Sequence, residues 1–278
     1  MVSESDSKRQ RLFDLIRQMR RVMVAFSAGV DSTVLLKASL GVLGRENVLA
    51  VTGVSPSLAS RELESVRQLA AALDAPLELL PTAEMSNPNY AANPAERCYY
   101  CKNELFTKLK ALADERGFEA VVCGVNADDT GDFRPGIDAA RQMGVRMPLL
   151  EAGLTKAEIR QLARDMGLPN WQKPALACLA SRIPYGTPIT LASLSQVEKA
   201  ENFLYERGFG VLRVRHHQKL ARIEVPVEDL PRLLAEPLRS ELVVFFKSIG
   251  YTYVTVDLQG FRSGSANEAI AGAARQSK

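Results

Sequence analysis

The sequence predicts an α/β protein, a parallel-sheet domain followed by a small α+β domain. Two observations predict the first domain and one predicts the second. Apolar runs of strand length alternate with amphipathic segments of helix length as far as residue 166, the pattern of βαβ units. The runs are continuously apolar, as expected where helices cover both faces of a parallel sheet. After residue 185 a segment rich in Pro, Gly and Thr gives way to a different rhythm of short strands and helices.

Residues 8–19 form an amphipathic helix with Leu12, Phe13, Leu15 and Ile16 on one side. Residues 21–26, RVMVAF, are the first strand, and residues 27–31 turn tightly into a helix over 32–43. A second strand covers 47–53, a helix 59–74 and a short third strand 77–80. A helix over 98–116 leads to a strand at 120–124, and residues 147–150 read as a short edge strand. The helix over 155–166 carries a start signal, because Thr155 and Glu158 have the spacing of a capping box. Residues 185–190 read as a linker, so the expected domains are 1–186 and 187–278. In the second domain a helix covers 191–207, and strands 210–216 and 220–225 flank a turn at 217–219. A helix over 237–249 and a strand over 251–258 complete it.

A chain of 278 residues can bury a core without disulfides. Its 35 Lys and Arg nearly balance 32 Asp and Glu, and a net charge of +3 is too small for the basic footprint of a nucleic-acid protein. Residues 1–11 lack the apolar stretch of a secretory signal. No run approaches the ~18 apolar residues of a membrane span. The expectation is a cytoplasmic protein whose Cys98, Cys101, Cys123 and Cys178 are thiols or metal ligands rather than disulfides. Cys123 lies inside an apolar strand and reads as a core residue.

The first chemical signal is the run of small residues Ser27, Ala28, Gly29, Val30, Asp31, Ser32 and Thr33 between a strand and a helix. Backbone N–H groups at such a helix start face outward and favour an anion. The hydroxyls of Ser27, Ser32 and Thr33 can add donors, and Asp31 implies a bridging Mg²⁺. A second loop, GVNADDTGDFRPG, follows the strand at 120–124 and so lies at the carboxyl end of the sheet, where ligands bind. Gly124, Asp128, Asp129 and Asp132 belong to it, with the carboxylates suited to Mg²⁺ held against a phosphate and Arg134 suited to a phosphate or carboxylate. Cys98 and Cys101 form a CxxC, a spacing that suits zinc, an iron–sulfur cluster or a redox pair. With Cys178 as a third ligand the set suits a [4Fe-4S] cluster with one open iron. Arg213 and Arg215, two apart on a strand, share one face and suit a phosphate.

The string SAGVDS resembles the SGGxDS loop of the N-type ATP pyrophosphatases (PP-loop proteins), with Ala28 where the motif has Gly. A positive φ would be disfavoured there. Together with GVNADDTGDFRPG, ACLASRIPYGT, RVRHHQKLARIEVP and VTVDLQGFRSGSANE, it resembles the LarE family of ATP-dependent sulfur transferases, over roughly residues 8–268. The resemblance implies an adenine nucleotide alpha hydrolase-like fold. It also implies adenylation of pyridinium-3,5-biscarboxylic acid mononucleotide by ATP and its conversion to a thiocarboxylate in nickel-pincer nucleotide synthesis, which serves lactate racemase maturation. Cys178 matches the cysteine that some members sacrifice, and other members carry the additional CxxC. Arg213 and Arg215 match the residues on the substrate phosphate; Arg182 is a candidate for a substrate carboxylate, Arg262 and Ser263 are weaker substrate candidates, Glu224 is a candidate to orient the arginine pair or bind a metal, and His216 is a candidate to lie near the substrate. The alternatives are a tRNA thiolase of the same superfamily and an adenine-nucleotide-binding regulator without chemistry. The expected partner is a small-molecule nucleotide, with no nucleic acid and no membrane, and the expected assembly is a homo-oligomer.

Overall fold

The structure, a computed structural model, describes residues 4–131, 135–174, 177–262 and 265. Contacts divide the chain into two compact units, Met1–Asn87 with Glu96–Leu176 and Pro88–Ala95 with Ala177–Lys278.

The first unit is built on β1 (Val22–Ala25), β2 (Val48–Val54), β3 (Leu77–Pro81) and β4 (Ala120–Cys123). They form a sheet of order β3-β2-β1-β4 in which every pairing is parallel. Successive strand side chains point to opposite faces, and the two cores follow from that. Val22, Val24, Ala50 and Val122 face α1 (Glu4–Gln18), α2 (Val30–Leu43), α3 (Ser60–Ala72) and α8 (Lys156–Asp165). Met23, Leu49, Val51 and Val121 face α5 (Arg97–Arg116) and α6 (Pro135–Gln142). β1 is therefore apolar at every position and β2 from Val48 to Val51, which explains their unbroken runs. Helix α6 escapes prediction because its buried face is only Ile137, Ala139 and Ala140, too short for a period to show.

The chain steps outward from β1 to β2 and β3, then returns to β4 on the other side of β1. Such a reversal leaves a crevice outside the carboxyl ends of the two flanking strands. The expected strand at 147–150 is instead a helical turn, α7 (Pro148–Glu151). Pro148 supplies helical φ at its first position, and Glu151 accepts from the Met147 backbone N–H at 2.9 Å. Sheet pairing survives only as a single parallel bridge between Val122 and Arg146.

The second unit holds the short helix α4 (Pro88–Ala91) and the three-stranded sheet of β5 (Arg213–His217), β6 (Leu220–Glu224) and β7 (Tyr253–Val256). β5 and β6 pair antiparallel, and β6 and β7 parallel. α9 (Leu191–Tyr205), α10 (Leu230–Leu234) and α11 (Leu238–Ser248) bury Phe203, Leu204, Leu233 and Phe246 against Val214, Ala221 and Ile223. Residues 185–190, read as a linker, are held tightly within this unit. Gly186 N–H donates to the Asn93 carbonyl at 2.9 Å and Ile189 N–H to that of Ala91 at 2.8 Å. Asn93 Nδ2 lies 2.8 to 3.3 Å from the carbonyls of Ile183, Pro184 and Thr187. Ile189 is buried.

Candidate active site

The loop after β1 crosses into α2 through Ala28, which takes a positive φ of 56° and is wholly buried. The conformation that the glycine of the motif would adopt at little cost is thus adopted by alanine. Three contacts hold it. Ser32 Oγ donates to the Gly29 carbonyl at 3.1 Å, Thr33 Oγ1 donates to the same carbonyl at 2.8 Å, and Ser27 N–H donates to Ser32 Oγ at 3.3 Å. Thr33 is fully buried, so its hydroxyl serves the loop rather than the crevice. The first N–H groups of α2 have no intrahelical partner, which leaves them to an anion beside the loop.

Gly124, at the end of β4, comes against this helix start. A Cβ there would sit 2.8 Å from Ser32 N and 3.0 Å from Asp31 C. The acidic loop that follows therefore lies on the phosphate loop. Asn126 Nδ2 donates to Asp31 Oδ1 at 3.1 Å, and the Asn126 N–H donates to Asp129 Oδ2 at 3.0 Å. Asp128 Oδ2 accepts from the Lys156 N–H at 2.8 Å. Lys156 Nζ makes an ion pair with Asp31 Oδ2. Of the predicted residues, Asp132 and Arg134 lie outside the described residues.

Sequence reasoning missed three residues that complete this arrangement: Asn126, Lys156 and Asn170. Asn170 Nδ2 donates to the Ala28 carbonyl at 3.2 Å and to Thr33 Oγ1 at 2.9 Å, clamping the strained residue. The capping box at Thr155 and Glu158 forms as expected and fixes the start of α8, from which Lys156 projects.

In the second unit the same-face expectation for Arg213 and Arg215 meets Arg222 and Glu224 across the ladder. Glu224, fully buried, takes Arg215 in a bidentate pair at 3.0 and 2.9 Å. Arg215 also donates to the Ser181 carbonyl at 3.0 Å and to Ser265 Oγ at 2.8 Å. Arg182 pairs bidentately with Glu201 at 2.9 and 3.0 Å. Its remaining nitrogen donates to the carbonyls of Ala177, at 2.6 Å, and Cys178, at 2.9 Å. Arg182 thus braces the backbone that carries Cys178. Among the described residues Arg213 makes no ion pair; it donates to the Leu212 carbonyl at 2.6 Å and lies over the Phe261 ring. Burial, with Arg182 and Arg215 nearby, pulls its guanidinium below the usual arginine range. A half-buried guanidinium that makes no ion pair among the described residues can accept an anionic ligand group. His216 turns to the opposite face, where Nδ1 lies 3.1 Å from the Tyr251 hydroxyl. Ser263 lies outside the described residues, and Arg262 pairs with Asp257 at 3.7 Å.

Burial pushes the Cys123 thiol up to about 11, in keeping with a core role. Cys98 and Cys178 are exposed and Cys101 is half-buried, and none forms a disulfide. Cys98 and Cys101 stand three apart in the first turns of α5 and belong to the first unit, whereas Cys178 belongs to the second. Among the described residues no group of three His, Cys, Asp or Glu side chains is gathered to hold a metal ion. Mg²⁺ carried by a nucleotide makes a smaller demand, since it takes one or two protein carboxylates and fills its shell with phosphate oxygens and water. Asp31, at the mouth of the phosphate loop, fits that demand.

A parallel sheet whose reversal point carries a small-residue phosphate loop and an acidic loop defines a nucleotide-binding enzyme fold of the PP-loop ATP pyrophosphatase class, here with a small sheet domain. The chain is 37% identical to the pyridinium-3,5-bisthiocarboxylic acid mononucleotide synthase of Lactiplantibacillus plantarum, over 95% of both chains. It therefore belongs to that family, LarE, and is a sulfur-transferring enzyme. It is also 45% identical to an uncharacterized protein of Synechocystis, over 95% of this chain and 98% of the other. An uncharacterized protein of Methanocaldococcus jannaschii is 27% identical over 88% of this chain and 92% of its own. No family model matches the chain. No helix among the described residues is long and apolar enough to cross a membrane.

Proposed function

We propose that this enzyme adenylates a carboxylate of pyridinium-3,5-biscarboxylic acid mononucleotide and replaces the adenylate with sulfur, a step in making the nickel-pincer nucleotide. The observation that carries this reading is the meeting of the phosphate loop with the acidic loop at the carboxyl ends of β1 and β4. A carboxylate is a poor electrophile, and adenylation supplies a leaving group. A substrate carboxylate oxygen attacks the α-phosphorus of ATP. The new O–P bond forms as the bond to the bridging oxygen breaks, and pyrophosphate leaves with that electron pair. A sulfur nucleophile then attacks the acyl carbon, and AMP leaves with the pair from the broken C–O bond.

The N–H groups at the start of α2 bind the phosphates, and Asp31 supplies a carboxylate to the Mg²⁺ that ATP carries. Arg213, with Arg215 beside it, takes the phosphate of the mononucleotide, and Arg182 holds the Cys178 backbone in place. Cys98, Cys101 and Cys178 are the thiols proposed to hold a [4Fe-4S] cluster, which supplies sulfide when bound; without it, Cys178 itself is the sulfur source. The exposure of Cys98 and Cys178 supports that role.

Pyrophosphate release that requires the pyridinium mononucleotide is the expected result. Release without it, or with tRNA in its place, overturns the reading. Protein isolated without oxygen should contain iron and labile sulfide that Cys98→Ala removes. Iron-free wild type in which turnover strips the sulfur from Cys178 overturns the cluster.

A further inference from the structure

We propose that Arg222 binds the second carboxylate of the pyridinium mononucleotide, the one not being adenylated, and so selects a dicarboxylate over a monocarboxylate substrate. This role rests on the substrate reading above and adds a residue that the reading leaves out. The phosphate of that substrate goes to Arg213 and Arg215, and one carboxylate attacks ATP. The other carboxylate is left without a cation. Arg182 does not supply one, because its N–H groups are taken by Glu201 and by the carbonyls of Ala177 and Cys178.

The setting of Arg222 fits that task. It stands on β6 directly across from Arg215 of β5, so both side chains leave the same face of the sheet, about one strand spacing (~4.8 Å) apart. Its neighbour on the other side is Thr255 of β7, so neither cross-strand neighbour is acidic. Each carboxylate near Arg222 also serves another guanidinium. Glu224 Oε1 accepts from Arg222 Nη2 at 3.1 Å, but Glu224 already takes Arg215 bidentately. Asp257 lies 3.6 Å from Arg222 Nε, beyond good hydrogen-bond reach, and 3.7 Å from Arg262 Nη1. Arg222 Nε is buried without a hydrogen-bond partner among the described residues. A buried donor left unmet costs free energy until an acceptor arrives. The side chain as a whole is 38% exposed, so a ligand can reach it. His217, further along the same face, feels the surplus of positive charge. Burial, then Arg222 and Arg215, hold its imidazole below the usual histidine range against the opposing pull of Glu224. The planar fork of a guanidinium matches a carboxylate, and the nearness of Arg222 to Arg215 places that carboxylate on the molecule whose phosphate the arginine pair holds.

The alternative is that Arg222 only braces Glu224, and ligand discrimination separates the two. Binding of pyridinium-3,5-biscarboxylic acid mononucleotide and of the pyridinium monocarboxylate mononucleotide is measured by calorimetry in wild type and Arg222→Met, with and without a non-hydrolysable ATP analogue. Wild type should prefer the dicarboxylate by at least ~10-fold, the effect of one charge-assisted pair. Arg222→Met should bind the dicarboxylate at least ~10-fold more weakly while the monocarboxylate stays within ~3-fold of wild type, so the preference collapses. An equal loss for both ligands, the result expected if Arg222 held the phosphate or merely braced Glu224, overturns the proposal. A preference that survives in Arg222→Met overturns it as well. Glu224 keeps Arg215 as its bidentate partner in the variant. Thermal unfolding checks that the variant is folded, with Arg222→Gln replacing it if it is not. Wild type that binds both mononucleotides equally overturns this proposal alone. Wild type that binds neither overturns the substrate reading, and this proposal with it.

Discussion

At the scale of single residues, Ala28 and His216 carry the sharpest consequences. Ala28 holds a φ of 56° with no exposure. An L-residue in that region costs about 1–2 kcal/mol, and a β-branched one costs more. Ala28→Val should therefore lower stability by at least ~2 kcal/mol in urea unfolding, and Ala28→Gly should stay within ~1 kcal/mol of wild type, since relief of strain offsets a lost buried methyl. Burial, with His217 beside it, holds the His216 imidazole below the usual histidine range. The folded state favours the neutral ring, so the unfolded chain takes up the proton first as pH falls. The resulting stability is fully present above pH ~6.5 and is lost progressively below it. Unfolding midpoints measured from pH 7.5 down to pH 5 (about one unit above and more than one below that value) should decline less steeply in His216→Asn than in wild type. The requirement at position 28 was legible in sequence, because the motif names the residue it departs from. The surroundings of His216 were not, because alternation along β5 tells which residues share a face but not which face is buried.

At the scale of elements, the decisive contact is the end of β4 against the start of α2. Any side chain at Gly124 meets backbone rather than a flexible tip, the nearest atom being Ser32 N at 2.8 Å. Gly124→Ala should push the two loops apart and weaken binding of an ATP analogue by at least ~10-fold, while far-UV circular dichroism stays that of wild type. An unchanged affinity would show that the loops do not share a ligand. The helices and strands around this contact were legible wherever a period had room to repeat. Residues 147–150 were not. Their apolar pattern suits a strand, but Pro148 and the Glu151 carboxylate close a helical turn.

For the molecule as a whole, each unit has its own organising charge. In the second unit Arg182 and Glu201 are 5% and 4% exposed and mutually bidentate. Removing one partner leaves the other charged and buried, which costs about 3–5 kcal/mol. Glu201→Gln should lower the unfolding free energy by about that amount, and a change under ~1 kcal/mol would mean that water reaches the pair. The net charge of +3 describes none of this. It is a sum over buried pairs, an acidic loop and a basic strand face that act separately.

The sequence by itself determined the order of the long strands and helices, the phosphate loop, the acidic loop and the placing of Arg213 and Arg215 on one face. Each is a local property, written in a period of 2 or 3.6 residues or in a short run of small side chains. Tertiary structure alone decided which cation neutralises Asp31, which amide clamps Ala28 and which carboxylate takes each buried arginine. The partners of Asp31 and Ala28 lie 125 and 142 residues away. Nothing in the local pattern distinguishes Lys156 from the other lysines, or Asn170 from the other asparagines. Their roles come from the return of the chain to β4, which brings the start of α8 and the loop beyond it onto a phosphate loop formed near the beginning of the chain.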